Sequence, residues 1–125
     1  MKIIKTDKAP IAIGPYSQAI KAGKFLFVSG QIPINHKTNE LVANNIEIQA
    51  ETVINNVFSI VKAADYKIEN IVKVTIYIKD MNDFNIINNV YEKFFCDHRP
   101  ARVVVEVSRL PKNVLIEMDA ICYSE

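Results

Sequence analysis

The chain has 125 residues, half of them hydrophobic, with 15 basic and 14 acidic side chains and a formal net charge of +1. Its length suits one domain spanning residues 1–125, with enough apolar material to bury a core. The near balance of charge argues against a dedicated nucleic-acid binder, which usually carries a basic excess. Because the sequence contains no signal peptide and no apolar stretch of membrane-spanning length, we expect a cytoplasmic protein without a membrane partner.

The N-terminal part of the chain predicts a β-hairpin. Ser17–Lys21 and Phe25–Ser29 are both suited to extended structure, and they flank a turn at Ala22–Lys24. Gly23 at the centre of this turn provides the backbone freedom that a tight connection needs.

Two segments have the period of an amphipathic helix. Within Asn45–Asp65, apolar residues recur at steps of three and four: Ile46, Ala50, Val53, Val57, Ile60, Val61 and Ala64. Within Asn82–Phe95, the apolar stripe consists of Phe84, Ile87, Tyr91, Phe94 and Phe95. Asn44, followed three places later by Glu47, resembles a capping box at the start of the first helix.

Three further segments predict strands: Val72–Lys79, which alternates, the β-branched run Val103–Val107, and Leu115–Tyr123. One face of the last strand is apolar, with Ile116, Met118, Ala120 and Cys122. The order of elements is therefore β-β-α-β-α-β-β. Since both helices are apolar on one stripe only, this order predicts an α+β protein whose two helices cover one face of a sheet.

The other face of the last predicted strand is mixed, with Leu115, Glu117, Asp119, Ile121 and Tyr123. A monomer would expose this apolar surface to water, which soluble monomers avoid in large patches. We therefore expect this face to pack against other subunits, and symmetric closure would make a ring.

Two charged residues are candidates for chemistry. Arg102 directly precedes the predicted strand Val103–Val107, and its guanidinium group has the geometry to bind a small carboxylate through two hydrogen bonds. The alternative is an ordinary surface arginine. Glu117 is in mid-strand on the mixed face, where apolar neighbours would allow it to act as a general acid or base. The alternative is a solvated or ion-paired carboxylate.

Three further residues are candidates for a pocket. Ser29 and Gly30 end a predicted strand, and Gly30 allows backbone N–H groups to approach an anionic ligand. Tyr16 follows Gly14-Pro15 and is placed to cover a small pocket. The alternatives are a simple strand end and a packed aromatic side chain.

The sequence contains no recognisable nucleophile motif and no metal-site spacing. Cys96 and Cys122 are far apart, and His36 and His98 stand at unrelated spacings. Such a set does not form a convincing zinc site, so we expect no metal and two buried free thiols in a reducing compartment.

Several short motifs of this sequence are specific. Two lie near the N-terminus, Ile13–Ala19 (IGPYSQA) and Val28–Pro33 (VSGQIP). A C-terminal signature runs through Pro100–Val107 (PARVVVEV), Arg109–Pro111 and Ile116–Met118. In these motifs and in their order, over most of its length, the chain resembles the RidA (YjgF) family of enamine/imine deaminases.

This resemblance implies a chorismate-mutase-like fold, with one mixed sheet and two helices on one face. It also implies a homotrimer in which the sheets form an inner barrel and the active sites lie in the clefts between subunits. The implied activity is hydrolysis of reactive intermediates such as 2-aminoacrylate and 2-iminopropanoate to a 2-keto acid and ammonia, without cofactor or metal. Such hydrolysis protects pyridoxal-phosphate enzymes.

The resemblance also assigns roles to residues. Arg102 corresponds to the arginine that binds the substrate carboxylate, and Glu117 corresponds to the catalytic glutamate. The remaining substrate-binding positions implied are Tyr16, Ser29, Gly30 and Asn88. The chemistry needs only that Arg102 hold the substrate while Glu117 moves protons between water and the departing nitrogen.

The chain departs from the family pattern in two places. Val104 occupies a position where many members have cysteine, and the loop Cys96–Arg99 is shorter than in familiar bacterial members. Arg99 in this loop competes with Arg102 as a carboxylate ligand, although the motif favours Arg102. Two alternative functions remain open at this stage: a ligand-binding regulatory trimer, and an RNA-acting or chaperone-like protein.

Overall fold

A six-stranded mixed sheet forms the centre of the computed structural model, which describes all 125 residues. The strands are β1 (Lys2–Ile4), β2 (Ala19–Ala22), β3 (Phe25–Gln31), β4 (Ile34–Asn35), β5 (Glu40–Leu41), β6 (Ile71–Ile78), β7 (Ala101–Glu106) and β8 (Ile116–Tyr123). The helices are α1 (Ile46–Ala63) and α2 (Phe84–Phe95). The sheet order is β1-β2-β3-β8-β6-β7, in which only β6 and β7 pair in parallel. The predicted α+β architecture, with one mixed sheet and two helices, is confirmed.

Three short strands were not predicted. The edge strand β1 pairs with β2, and β4 and β5 form a separate small hairpin. These strands are two or three residues long, so they carry too few residues to show a period in the sequence.

The first helix is capped one residue later than the sequence predicted. The Asn45 side chain, not that of Asn44, accepts a hydrogen bond from the Ile48 N–H at 3.0 Å. The second helix also begins later than predicted, because a 3₁₀ turn at Met81–Asp83 precedes it. Such shifts of one or two residues are common at helix ends.

The core lies between the helices and one face of the sheet, and β8 follows the predicted alternation. Ile116, Met118, Ala120 and Cys122 are buried, whereas the residues between them are only partly covered. In β6 the alternation predicts that Val72, Val74, Ile76 and Ile78 share the buried face, and this is wrong at one position: Val72 is exposed and Ile71 is buried instead. The cause is a shift in the pairing of β6 with β8 between Ile71 and Lys73, which leaves Val72 out of register.

The other face of the sheet carries exposed apolar side chains. Phe25 and Phe27 on β3 and Val103 and Val105 on β7 are each 37–45% exposed. Phe25 also packs against Tyr123 of β8, with ring centroids 5.0 Å apart. We refer to this helix-free surface as the open face.

The two cysteines differ in environment. Cys122 is buried in the core, but Cys96 is exposed directly after α2, so the prediction of two buried thiols was wrong for Cys96. Both thiols are free. Neither helix is long and apolar enough to cross a membrane.

Candidate active site

One cavity, of about 310 Å³, opens beside Glu117 on the open face of the sheet. We call it the glutamate cavity. It contains three of the predicted site residues besides Glu117, and its full lining is Ile13, Tyr16, Ser29, Gly30, Ile32, Pro111 and Glu117. The structure thus brings together residues from the N-terminal loop, β3 and β8.

An irregularity in β3 shapes this cavity. Pairing between β3 and β8 is regular up to Val28 and resumes with a shifted register at Gln31, so the shift falls on Ser29 and Gly30. Ser29 is tied to the N-terminal segment, since its N–H donates to the Gln18 carbonyl at 2.9 Å and its hydroxyl to the Ser17 carbonyl at 2.6 Å. β-Bulges of this kind redirect side chains and are frequent beside active sites.

Gly30 faces the Glu117 carboxylate at close range. A Cβ atom at position 30 would overlap Oε2 of Glu117 and would lie 3.0 Å from its Cδ. Glycine is therefore required here if Glu117 is to keep its orientation.

The carboxyl group of Glu117 is partly desolvated and lies near a second carboxyl group, that of Asp119. Burial raises its pKa above the usual range, and the neighbouring Asp119 raises it further. Tyr77 lies opposite Glu117 on β6, and its hydroxyl donates to Oδ2 of Asp119 at 3.1 Å. A carboxyl group with a raised pKa exchanges protons closer to neutral pH, which suits general acid–base chemistry.

Tyr16 lies at the rim of the glutamate cavity, where its side chain is 46% exposed. Its hydroxyl accepts a weak hydrogen bond from the Ile13 N–H at 3.3 Å. Tyr16 is therefore placed to contact a molecule that enters the cavity.

A second cavity, of about 330 Å³, lies between α2 and the start of β7. We call it the arginine cavity. It is lined by Asn88, Tyr91, Glu92, Arg99, Pro100 and Arg102. Two of the predicted site residues, Asn88 and Arg102, therefore share this cavity.

Aromatic rings hold the guanidinium group of Arg102. Its Cζ lies 4.8 Å from the ring centroid of Tyr91 and 5.8 Å from that of Phe84. These cation–π contacts orient the planar group at the cavity and leave its N–H groups available to a ligand. Arg99 instead pairs loosely with Glu92, at 3.9 Å and with both side chains largely exposed, so Arg102 is the better positioned of the two.

Arg102 and Glu117 do not meet within one chain. Arg102 pairs with Val74 on β6, a buried core residue on the helix side of the sheet. Glu117 pairs with Tyr77, whose other neighbour is the exposed Val105 on the open face. The two candidate catalytic residues therefore occupy separate cavities on opposite faces of the sheet.

Sequence reasoning missed Tyr77 and Tyr91. Tyr77 was assigned only to a strand and Tyr91 only to a helix stripe. The sequence could have indicated Tyr91, because Phe84, Asn88 and Tyr91 stand at i, i+4 and i+7 and therefore share one helix face. Tyr91 thus lies on the same face as the predicted site residue Asn88. No three His, Cys, Asp or Glu side chains come together in a group able to hold a metal ion.

Comparison with known proteins supports the family resemblance of the sequence. The family model described as Endoribonuclease L-PSP matches residues 6–124. The chain belongs to this family, which is the RidA (YjgF) family. Among its relatives, a RutC family protein of Pyrococcus horikoshii is 56% identical over 99% of this chain and 98% of its own length.

Two other comparisons bear on the activity. The 2-iminobutanoate/2-iminopropanoate deaminase of Escherichia coli K12 is 50% identical, over 96% of this chain and 95% of its own length. The crystal structure of E. coli TdcF with bound serine is similar to this RidA-family fold with a TM-score of 0.96 and 44% identity, covering 100% of both chains. Similarity thus extends along the whole chain.

Proposed function

We propose that this RidA-family chain is a hydrolytic deaminase of reactive enamine and imine acids, such as 2-aminoacrylate, 2-iminopropanoate and 2-iminobutanoate. The products are the 2-keto acid and ammonia. The named activity of the E. coli relative at 50% identity supports the reaction class. The proposal includes a cytoplasmic role in protecting pyridoxal-phosphate enzymes from these intermediates.

One observation carries the proposed arrangement: Arg102 and Glu117 lie in separate cavities on opposite faces of the sheet. The arginine cavity also contains Glu92, but this carboxylate is largely exposed and pairs with Arg99, so neither cavity alone joins a carboxylate anchor to a partly buried acid–base group. We therefore propose that the arginine cavity of one chain meets the glutamate cavity of a neighbour in a homotrimer. The exposed apolar side chains of the open face support such an assembly, because soluble monomers rarely leave large apolar patches in water.

In the proposed mechanism, Arg102 binds the substrate carboxylate and thereby fixes the imine carbon near the neighbouring chain's Glu117. Glu117 accepts a proton from a water molecule as the water oxygen forms a bond to the imine carbon. It then passes this proton to the nitrogen, which gives a carbinolamine. A second proton, from the carbinolamine hydroxyl group, moves through Glu117 to the nitrogen, so that the C–N bond breaks, ammonia leaves and the carbonyl group forms. The raised pKa of Glu117 suits both transfers.

A mixing experiment tests the shared site. Arg102→Ala and Glu117→Gln chains, each inactive alone, are unfolded together and refolded in equal amounts. Turnover is measured with semicarbazide, which traps an imine generated by a dehydratase, so that deamination appears as less semicarbazone. In random trimers about a quarter of the shared sites should combine an intact arginine with an intact glutamate, so activity should return to about that fraction. If the mixture stays inactive while refolded wild-type chains are active, the site is not shared.

Ribonuclease activity is a second candidate, because the family description names it. The site offers little support for it. His98 bonds to the Ile71 carbonyl, His36 to that of Asp7, and neither histidine lines the glutamate or the arginine cavity. An RNA cleavage assay at low and moderate salt decides between the two candidates. RNA cleavage by the wild type that disappears in Glu117→Gln would favour the ribonuclease. We expect the wild type to cleave no RNA.

A further inference from the structure

The hydroxyl group of Tyr91 is the one buried side-chain polar atom in the chain that has no hydrogen-bond partner. Tyr91 is only 6% exposed. Leaving a buried donor unpaired costs free energy, and native structures contain few such groups. This hydroxyl group therefore needs a physical explanation.

The ring of Tyr91 is held in one orientation. It stacks with Phe95, with centroids 4.2 Å apart and planes 18° from parallel. The Arg102 guanidinium group lies over the same ring, 4.8 Å from its centroid. Because α2 places Tyr91 three residues after Asn88, both side chains line the arginine cavity. The hydroxyl group is thus fixed on a rigid ring beside the anchor that the proposed function assigns to the substrate.

The charges around this hydroxyl group favour an anionic acceptor. Burial raises the pKa of Tyr91 to about 12, although the positive charges of Arg102 and Arg99 act to lower it. The hydroxyl group therefore keeps its proton at neutral pH and can donate. The guanidinium groups of Arg102 and Arg99 outnumber the one carboxylate in the cavity lining, that of Glu92, so the cavity is positively charged. Beside an unpaired donor, this charge favours a carboxylate, which accepts several hydrogen bonds at once.

We propose that the Tyr91 hydroxyl group donates a hydrogen bond to the substrate carboxylate that Arg102 binds. This inference rests on the proposed function for the identity of the substrate. It assigns Tyr91 two tasks in the arginine cavity: the ring supports the guanidinium group, and the hydroxyl group binds the ligand. The unpaired donor is then satisfied whenever substrate is present.

Tyr91→Phe tests the inference because it removes the hydroxyl group and retains the ring. KM for the imine should rise about five- to tenfold while kcat stays within about twofold, since one hydrogen bond to a charged group is lost in binding. The dissociation constant of 2-oxobutanoate, a stable keto acid with the same carboxylate, should rise by a similar factor in calorimetry. The variant's midpoint of thermal unfolding should be equal to or higher than that of the wild type, because no native hydrogen bond is broken.

Tyr66→Phe is the matched control. Tyr66 is also buried, but its hydroxyl donates to the Lys24 carbonyl at 3.0 Å and lies outside the arginine cavity. This variant should lose thermal stability and keep the wild-type KM and 2-oxobutanoate affinity. The two substitutions thus have opposite expected signatures, which a general effect of losing a hydroxyl group cannot produce.

The outcomes separate this inference from the proposed function. If Tyr91→Phe binds 2-oxobutanoate as tightly as the wild type, the hydroxyl group does not touch the carboxylate and the inference is wrong. If the wild type binds 2-oxobutanoate in a Tyr91-dependent manner but hydrolyses no imine, the inference holds and the deaminase proposal fails. If the wild type shows neither binding nor turnover, both are wrong.

Discussion

Glu117 lies so close to the backbone of Gly30 that any side chain at position 30 would overlap its carboxylate. The contact depends on the register shift that places Ser29 and Gly30 out of regular pairing with β8. Local backbone irregularity in β3 therefore determines where the candidate acid–base group of β8 points. The relationship links a two-residue feature of the sheet to the proposed chemistry.

Gly30→Ala should reduce activity more than stability. The added Cβ meets the mobile end of a side chain rather than the backbone, so Glu117 can rotate away at modest cost. We expect kcat to fall at least about tenfold, because a small displacement of a catalytic group is costly, while unfolding in urea stays near wild type. A variant with wild-type kcat would show that the orientation of Glu117 is unimportant.

Asp119→Asn should shift the pH dependence of the reaction. Burial is the larger cause of the raised pKa of Glu117, and the negative charge of Asp119 is the smaller one. The substitution Asp119→Asn removes only this negative charge. Asn can still accept from the Tyr77 hydroxyl, so the local geometry is kept. Because Glu117 accepts a proton only as a carboxylate, a lower pKa should move the acidic limb of kcat/KM toward lower pH. The profile is measured from about pH 4 to pH 9, a range that brackets carboxyl titration.

Asp65→Asn serves as its control. Asp65 follows α1, has a positive φ of 63° that asparagine also adopts readily, and lines neither cavity. Its pH profile should coincide with that of the wild type. If the acidic limb of kcat/KM also stays at its wild-type position in Asp119→Asn, the group that titrates there is not Glu117.

Arg102→Lys should weaken substrate binding even though it preserves the charge. Lysine lacks the planar fork that binds a carboxylate through two hydrogen bonds and stacks on Tyr91 and Phe84. KM should rise about tenfold or more, corresponding to loss of at least one charge-assisted hydrogen bond. Arg109→Lys is the control, since Arg109 bonds to Asn113 and lines neither cavity. Equal KM values for wild type and Arg102→Lys would mean that charge alone suffices.

Regular elements of this fold could be predicted because their periods repeat over many residues. The alternation of β8 and the apolar stripes of α1 and α2 each contain enough positions to indicate which side faces the core. The same patterns correctly placed Glu117 and Asp119 on the face opposite the core. The local sequence pattern was therefore sufficient to predict which face a side chain occupies when that face depends only on the side chain's own strand or helix.

The remaining features depend on contacts between distant segments. The register shifts at Ser29–Gly30 and at Val72 arise from pairing with β8, which no local pattern encodes. The opposite directions of Arg102 and Glu117 follow only once β7 is known to pair in parallel with β6. The unpaired hydroxyl of Tyr91 likewise becomes visible only when every buried polar atom can be checked for a partner.

Phe27→Asp should disrupt the proposed trimer. Phe27 is 45% exposed on the open face, where it lies beside Ile121 of β8 and 6.1 Å from the Phe25 ring. A charge buried between subunits without a partner is strongly unfavourable, so this variant should sediment as a 14.2 kDa monomer at micromolar concentration. Deaminase activity should disappear with it, because the arginine cavity of one chain would lose the glutamate cavity of its neighbour.

The control for this experiment is Ile48→Asp. Ile48 is 43% exposed in the first turn of α1, and an acidic residue near a helix N-terminus is favourable. This variant should sediment and react as the wild type does, since the helices lie on the opposite side of the sheet from the open face. If Phe27→Asp instead remains assembled and active, the open face is not the interface and the two cavities must meet through other surfaces. If it becomes monomeric and keeps full activity, the shared site is wrong, because a single chain would then suffice for the reaction.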